Sequence, residues 1–381
     1  MTAARRVAID VRPLALGAVT GVGLLIQQIV EELSQRGFQF VGISDRPLPS
    51  RRLPEGVSVK VTGGAGGRIR WEAGPLPRAL RSLRPPPDLY HATWNHGVPA
   101  GLPFPSVLSL LDLIPWINPG WAPWPWPSWL HSRLYRRAVR NSIDAARVIV
   151  TLSEASRRDI VARLPGAADR IVTVPCAVPR WFRPAPPAAG EPWIARFGGR
   201  PYWLYVGGFD PRKGLETLLE LGYATRLPDP VPDLVLAGAV NEFGARLERG
   251  AQERRYRMHF PGYIADEDLP GLFAGAELFL YPSRYEGFGI PPLLAMAAGV
   301  PCVVADGGAL PEVVGDAACV VPAGTTARFV RATLDLAADP ARRAHLAARG
   351  RERAARFSVE ALAARMTQAY ERALRDPAGS A

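Results

Sequence analysis

The chain alternates between short runs of consecutive apolar residues and longer stretches with helical spacing. At 22–37, VGLLIQQIVEELSQRG repeats apolar residues every three or four positions and closes at Gly37, which predicts a helix. Apolar runs predict strands at 7–10, 40–44, 58–63, 88–93, 106–113, 147–153 and 170–176. Strands that are apolar throughout and alternate with helices are typical of a parallel sheet buried on both faces.

Residues 179–201 interrupt this alternation, because they are rich in Pro, Gly and Ala and have no sustained period. We predict a linker there. The alternation then restarts, with strands predicted at 202–208, 233–238, 258–264, 276–283, 301–306 and 318–324 and helices over 325–374. The fold class is therefore α/β, with two doubly wound, Rossmann-like domains at 1–178 and 202–357 that face each other across a cleft. For the C-terminal helix within 358–381, a return to the N-terminal domain is one option.

Composition narrows the class of protein. A chain of 381 residues is longer than one hydrophobic core usually serves, so we expect two domains. The three cysteines are far apart and lack metal-ligand spacing, so we expect a reducing, cytoplasmic environment and no zinc site. Because a strand-like segment starts at residue 7, we expect no signal peptide, and because no apolar run reaches spanning length, we expect no transmembrane helix. The net charge of +11 has two interpretations. One is an anionic binding partner, and the other is a compositional bias toward Arg over Lys, since Lys60 and Lys213 are the only lysines. The arginines are scattered, so we expect no nucleic-acid partner.

The first candidate site is YEGFGIPPLLAMAAG at 285–299, where Glu286 follows a predicted strand and Pro291 suits the first turn of a helix. Free N–H groups at such a helix start can bind a phosphate. Because the carboxylate of Glu286 would repel that phosphate, it is expected to contact another part of the ligand, such as a hydroxyl. The alternative is a helix cap with a solvated glutamate.

A second loop, YVGGFDPRKGLETLLE at 205–220, places Arg212 and Lys213 just before a predicted helix. Two cations at a helix start oppose its dipole, and we identify no structural partner for Lys213, so the loop indicates an anion site. The alternative is a solvated pair. A third loop has Gly21 and Gly23 between the first strand and the first helix, which is a weak glycine fingerprint.

Glu286-Gly287-Phe288-Gly289 with Pro292, followed by GVPCVVAD and ALPEVVGDAACVVPAG, resembles the signature of retaining family-4 glycosyltransferases of GT-B fold. Segments 150–160 and 259–289 and the IDVRPL and DLIP motifs extend the resemblance, toward the mannosyltransferase-like branch. It implies transfer of a sugar from a nucleoside-diphosphate sugar, with GDP-mannose as one candidate, to a glycan or lipid-linked acceptor on the side of the N-terminal domain. The alternative is a non-catalytic, glycosyltransferase-like binding or partner protein.

The resemblance also implies residue roles. Glu286 would contact the donor sugar, and Asp112 would lie near the reacting sugar. No cofactor or metal is implied, because cations and helix dipoles carry the charge of the leaving diphosphate. Glu286 and Asp112 are thus the implied catalytic residues. The implied donor-binding residues are Gly21, Gly23, Gly208, Arg212, Lys213, Gly262, Tyr263, Ile264, Gly287, Phe288, Gly289, Ile290 and Leu294.

Three leucines depart from the family pattern. Leu294 stands where the family has a ribose-binding glutamate, Leu111 where it has a histidine, and Leu24 where it has an arginine. Each lost hydrogen bond is worth roughly 0.5–1.5 kcal/mol, so these changes bear on donor identity and on catalysis itself. His91 and His96 are interpreted as structural, with replacement of the missing histidine as the alternative.

The stretch 115–140 combines tryptophans with arginines. One interpretation is an acceptor site or a peripheral contact with an anionic membrane surface at the inner face of the membrane. The other is a Pro-rich loop that packs on its own domain through its aromatic side chains. The residues concerned are Trp116, Trp121, Trp124, Trp126, Trp129, Arg133 and Arg136, followed by Arg137 and Arg140.

Overall fold

A computed structural model describes residues 5–15, 20–49, 52–63, 67–121, 128–223, 232–253 and 257–375, without the side chains of residues 128, 129, 131 and 223. The chain divides into two compact units, Met1–Ala177 with Val359–Ala381, and Val178–Ser358. Each unit contains one parallel β-sheet. No helix in the described ranges is both long and apolar enough to cross a lipid bilayer.

The strands are β1 (Arg5–Asp10), β2 (Phe38–Ser44), β3 (Ser58–Val61), β4 (Leu89–Ala92), β5 (Ser106–Ser109), β6 (Val148–Thr151), β7 (Ile171–Thr173), β8 (Tyr202–Val206), β9 (Leu234–Ala237), β10 (Met258–Gly262), β11 (Ala276–Tyr281), β12 (Cys302–Ala305) and β13 (Cys319–Val321).

The helices are α1 (Gly21–Ser34), α2 (Gly67–Ala73), α3 (Pro75–Arg81), α4 (Ile114–Ile117), α5 (Ser128–Ala145), α6 (Glu154–Arg163), α7 (Glu191–Arg196), α8 (Glu216–Leu219), α9 (Glu242–Glu253), α10 (Leu269–Ala274), α11 (Ile290–Ala298), α12 (Leu310–Val314), α13 (Thr326–Ala337), α14 (Pro340–Ala354) and α15 (Val359–Arg375).

In the first unit the strand order is β3-β2-β1-β4-β5-β6-β7, and every pairing is parallel. The helix α1 packs on the C-terminal helix α15, which lies in this unit. Tyr370 of α15 is fully buried, and its hydroxyl lies 2.9 Å from Nδ1 of His91 on β4. The C-terminal helix thus supplies core side chains to the first sheet.

In the second unit the order is β10-β9-β8-β11-β12-β13, again with parallel pairings throughout. In both sheets the chain starts in the middle and later reverses direction across the sheet, between β1 and β4 and between β8 and β11. The loops at the carboxyl ends of those neighbouring strands diverge, which makes such points the usual ligand sites of doubly wound sheets. All thirteen predicted strands are present, and the predicted α/β architecture is confirmed.

The predicted linker at 179–201 differs from the structure, because these residues belong to the second unit and contain α7. Phe182 packs edge-on against Phe273 of α10, with ring centroids 5.6 Å apart. Trp193 stacks on Phe197 at 5.9 Å, and Phe197 in turn contacts Tyr202 of β8. Burying this aromatic surface anchors a segment whose Pro and Gly content alone indicates a spacer.

Candidate functional site

The main candidate site lies at the reversal point of the second sheet, where the loops after β8 and β11 meet. Gly214 makes their approach possible, since its φ is 64° and an added Cβ would lie 2.5 Å from the carbonyl oxygen of Pro282. The N–H of Arg284 donates to the carbonyl of Arg212 at 2.8 Å, which ties the two loops together. Asp210 caps the turn before Lys213 by accepting from the N–H of Arg212.

This arrangement brings half-buried Arg212 together with buried Lys213 and Glu286 in one charge cluster. Oε1 of Glu286 accepts from Nζ of Lys213 at 2.7 Å, from Oγ of Ser283 at 2.6 Å and from the hydroxyl of Tyr281 at 3.1 Å. Oε2 accepts from Nη1 of Arg212 at 2.7 Å. Lys213 and Glu286 are only 7% and 8% exposed. The expectation that Lys213 has no structural partner is therefore wrong, and Glu286 is not a solvated helix cap.

Burial and pairing act against each other on the charges of this cluster. Burial alone would raise the pKa of the Glu286 carboxyl, but Lys213 and Arg212 outweigh it and lower that pKa to about 2. Burial lowers the pKa of Lys213, and Glu286 offsets part of that effect. For Arg212 burial is outweighed by Glu286 and Asp210, which hold its pKa above the usual range. The carboxylate thus acts as an internal counterion to two cations.

The helix α11 starts beside this cluster, as predicted. Gly289 is its N-cap residue with φ 116°, and a Cβ there would meet Cδ2 of Leu310 at 2.7 Å, so the position requires glycine. The backbone of Glu286 is held by the loop after β12, through the N–H of Ala309 at 2.9 Å. Phe288 is 5% exposed and packs edge-on against Phe357, which leaves only its backbone for the predicted donor role. Gly287 is buried, and Ile290 is half-buried.

The other predicted donor residues of this unit occupy the same edge of the sheet or the core beneath it. Gly208 is exposed just after β8, and Gly262 ends β10 with φ 82°. Tyr263 is 48% exposed, whereas Ile264 is buried. Leu294 is buried in α11, with 4% of the residue exposed, so it is a core residue in this structure and its donor role stays a prediction.

In the first unit, Asp112 follows β5 and its Oδ1 accepts from the N–H of Ile114 at 3.0 Å, at the start of α4. Leu111 is buried, and its N–H donates to Oδ1 of Asn95. Gly21 and Gly23 lie inside the first turn of α1 rather than in a loop before it. The reason is Thr20, whose side chain caps the helix by accepting from the N–H of Gly23 at 3.2 Å.

A buried charge network at the reversal point of the first sheet was missed by the sequence analysis. Arg12 donates to Asp10 at 2.6 Å and to Glu72 of α2 at 2.9 Å. His96 lies 2.7 Å from Glu72, and His91 contacts Ser109 and Tyr370. Both histidines are thus held by their own unit, which favours the structural interpretation. The sequence signal for this network was the pair of charges in IDVRPL, with Asp10 at the end of the first strand and Arg12 just after it.

The structure describes part of the stretch 115–140, which combines tryptophans with arginines. Trp116 is half-buried, and the guanidinium groups of Arg136 and Arg140 lie 5.6 Å and 5.2 Å from its ring centroid. Trp121 is half-buried and Arg133 is exposed on α5. Trp124 and Trp126 lie outside the described residues, and the side chain of Trp129 is not described. The cation–π contacts favour packing for Trp116 itself.

Within the part of the chain that the structure describes, no group of three or more His, Cys, Asp or Glu side chains could hold a metal ion. The buried charges of the second unit are instead arranged for hydrogen bonding to one another. An anion that displaced or joined Glu286 would find two cations and a helix start in place.

Two family models match the chain. One, described as "Glycosyl transferases group 1", matches residues 193–353, and "Glycosyltransferase Family 4" matches residues 19–180. The "O-antigen chain mannosyltransferase B" of Escherichia coli is 36% identical over 249 residues, which are 63% of this chain and 64% of that protein. A "GDP-mannose-dependent alpha-(1-6)-phosphatidylinositol monomannoside mannosyltransferase" of Mycobacterium tuberculosis is 29% identical over 59% of this chain and 61% of that protein. The chain therefore spans less than two thirds of either relative.

Solved structures with the same fold include sucrose-phosphate synthase from Thermosynechococcus elongatus, with a TM-score of 0.78 and 21% identity over 96% of this chain and 98% of that one. Anabaena Alr3699/HepE in complex with UDP and glucose has a TM-score of 0.76 at 17% identity, covering 96% and 99%. At these identities the likeness concerns the fold alone.

Proposed function

We propose that this chain, which belongs to the family-4 glycosyltransferases of GT-B fold, is a retaining, metal-independent enzyme that transfers a hexose from a nucleoside-diphosphate sugar. The observation that carries the proposal is the charge cluster of Arg212, Lys213 and Glu286 beside the start of α11. Its position, at the reversal point of a doubly wound sheet, is where such folds bind their ligands.

The cluster suits the chemistry of a departing nucleoside diphosphate. When the bond from the sugar to the diphosphate breaks, negative charge develops on the terminal phosphate, and fixed cations and helix N–H groups stabilise it. Arg212 and Lys213 supply the cations. The start of α11 supplies the N–H groups of Gly289 and Ile290, because Pro291 and Pro292 have none and that of Leu293 donates to the carbonyl of Gly289. Once the diphosphate takes over the two cations, the carboxylate of Glu286 is released to accept from a hydroxyl of the donor sugar.

GDP-mannose is our proposed donor. Both relatives named above are mannosyltransferases, and one is described as dependent on GDP-mannose. The exposed ring of Tyr263 and the backbone of Gly262 and Ile264 lie at the carboxyl end of β10, where we place the base. A direct test is to titrate the wild-type protein with GDP, UDP and ADP by calorimetry. We expect GDP to bind most tightly, and equal or tighter binding of UDP would contradict the assignment.

We place the acceptor, a glycan or a lipid-linked sugar, on the first unit near Asp112. Exposed Arg133, Arg137 and Arg140 on α5, which follow the tryptophans in the sequence, suit an anionic lipid surface at the inner face of the membrane. Vesicles that contain anionic lipid should sediment the protein, and neutral vesicles should not. Replacement of the three arginines by alanine should abolish that difference, and retained binding would remove this surface from the proposal.

A further inference from the structure

The hydroxyl of Tyr281 lies between the two opposite charges of the site. It accepts a hydrogen bond from Nζ of Lys213 at 2.8 Å and donates one to Oε1 of Glu286 at 3.1 Å. We infer that Tyr281 is a positioning residue of the phosphate site, because its hydroxyl and Glu286 together occupy two of the three N–H groups of Lys213 and so direct the third. The inference rests on the proposed function of this site.

An ammonium group on a four-carbon stem has three donors that rotate freely, so it positions a phosphate poorly unless other groups fix it. Glu286 fixes one donor of Lys213 at 2.7 Å, and the hydroxyl of Tyr281 fixes a second. With two donors held, the direction of the remaining N–H is set by the geometry of the ammonium. A phosphate oxygen that approaches along this direction meets a donor already aligned.

The tyrosine is itself held by the sheet rather than by a loop. It ends β11, is fully buried, and stacks between Tyr205 and Phe279, at centroid distances of 5.6 Å and 5.8 Å with interplanar angles of 17° and 19°. Nζ of Lys213 lies 5.2 Å from the centroid of the Tyr281 ring. Removal of the hydroxyl alone therefore leaves the ring and its packing in place.

The same hydroxyl bears on the protonation of Lys213. Burial lowers the pKa of Lys213, Glu286 and Asp210 oppose this, and Arg212 adds to it. A hydroxyl oxygen that accepts from the ammonium favours the charged form. Burial also keeps the pKa of Tyr281 well above its usual value, so the phenol itself stays neutral. Without the hydroxyl, Lys213 should lose its proton, and with it the phosphate, at a lower pH than in the wild type.

The test compares Tyr281→Phe with Tyr202→Phe. Tyr202 is also fully buried on a strand of the second sheet, but its hydroxyl donates to the carbonyl of Leu272 at 2.6 Å, away from the charge cluster. Both variants lose one buried hydroxyl and should melt at lower temperature than the wild type. GDP and UDP are titrated by calorimetry from neutral to alkaline pH.

We expect Tyr281→Phe to weaken nucleotide binding about tenfold and to lose it at lower pH, since a hydrogen bond to a charged group is lost. Tyr202→Phe should keep the wild-type affinity and pH profile. If Tyr281→Phe matches the wild type in both, or if Tyr202→Phe loses as much, the positioning role is wrong. If the wild type binds neither nucleotide, the proposed function falls and this inference with it.

Discussion

Replacing the carboxylate of Glu286 by an amide should tighten the binding of free nucleoside diphosphates while it abolishes sugar transfer. Glu286 lies where an anion would bind to Arg212 and Lys213, with N···O distances of 2.7 Å to each. A diphosphate must share or displace this counterion. In Glu286→Gln the amide oxygen can still accept from Lys213, but the competing negative charge is gone.

The size of the effect follows from Coulomb's law. Two unit negative charges about 5 Å apart, bound to the same cations, repel each other by about 3 kcal/mol at an effective dielectric constant of about 20. That energy corresponds to about a hundredfold in Kd, and screening by salt reduces it. We therefore expect GDP to bind Glu286→Gln between about ten and a hundred times more tightly than it binds the wild type.

Although Glu286→Gln should bind nucleotide more tightly, its folding stability should be lower than that of the wild type. Breaking a buried ion pair by removing one partner costs about 3–5 kcal/mol, because the other charges stay buried without compensation. For a unit of this size each kcal/mol lowers Tm by about 2–4 °C, so Glu286→Gln should melt about 6–20 °C below the wild type. Saturating GDP should recover much of that loss, since the nucleotide replaces the missing counterion.

Glu72→Gln is the matched control, because Glu72 is a half-buried carboxylate, with 11% of its side chain exposed, that pairs with Arg12, Arg68 and His96 in the other unit. The assays are calorimetric titration with GDP and thermal melts with and without GDP. The control should lose stability and keep the wild-type nucleotide affinity. Weaker GDP binding by Glu286→Gln than by the wild type would refute the idea that Glu286 competes with the phosphates.

Three further changes test the same account. Lys213→Met should weaken GDP binding at least tenfold in calorimetry, because a charge-assisted hydrogen bond to phosphate is lost, and unchanged affinity would remove Lys213 from the site. Leu294→Glu should lower Tm in a thermal melt, because the leucine is 4% exposed and a carboxylate there is buried without a partner. A gain in nucleotide affinity without loss of Tm would instead show that the pocket accepts a ribose-binding carboxylate. Finally, the pKa values of Glu72 and Glu286 fall from about 4.5 to about 2 on folding, so denaturant titrations should show stability that is present above about pH 4.5 and is lost toward pH 2. In Glu72→Gln and in Glu286→Gln the free energy of unfolding should fall less steeply over this acidic range. An unchanged pH dependence would contradict the ion pairs of these two carboxylates.

The sequence predicted the strands well because buried parallel strands are apolar throughout, and that pattern is local. It also placed Arg212, Lys213 and Glu286 in loops that follow strands. What it could not predict is that β8 and β11 are neighbours, since strand order in a doubly wound sheet is not written in a local pattern. Only that adjacency, with Gly214 allowing the close approach, brings the carboxylate onto the two cations.

Two errors have similar physical origins. In 179–201 the Pro and Gly content indicated a spacer, but Phe182, Trp193 and Phe197 bury aromatic surface that anchors the segment. The glycine pattern placed Gly21 and Gly23 before the first helix, although the helix predicted at 22–37 already included Gly23. The side-chain cap from Thr20 starts the helix ahead of both glycines. In each case a tertiary or capping contact outweighed the local propensity of small residues.

The central claim is that the cluster of Arg212, Lys213 and Glu286 binds a nucleoside-diphosphate sugar and releases its nucleotide. The most direct measurement is hydrolysis of a panel of GDP, UDP and ADP sugars by the wild type, in which water takes the sugar and the nucleotide is released, with Lys213→Met as control. We predict that the wild type releases GDP from GDP-mannose and that the variant does not. If the wild type binds GDP-mannose tightly but releases no more GDP than the variant does, the enzymatic function is contradicted. That result would favour a non-catalytic glycosyltransferase-like protein.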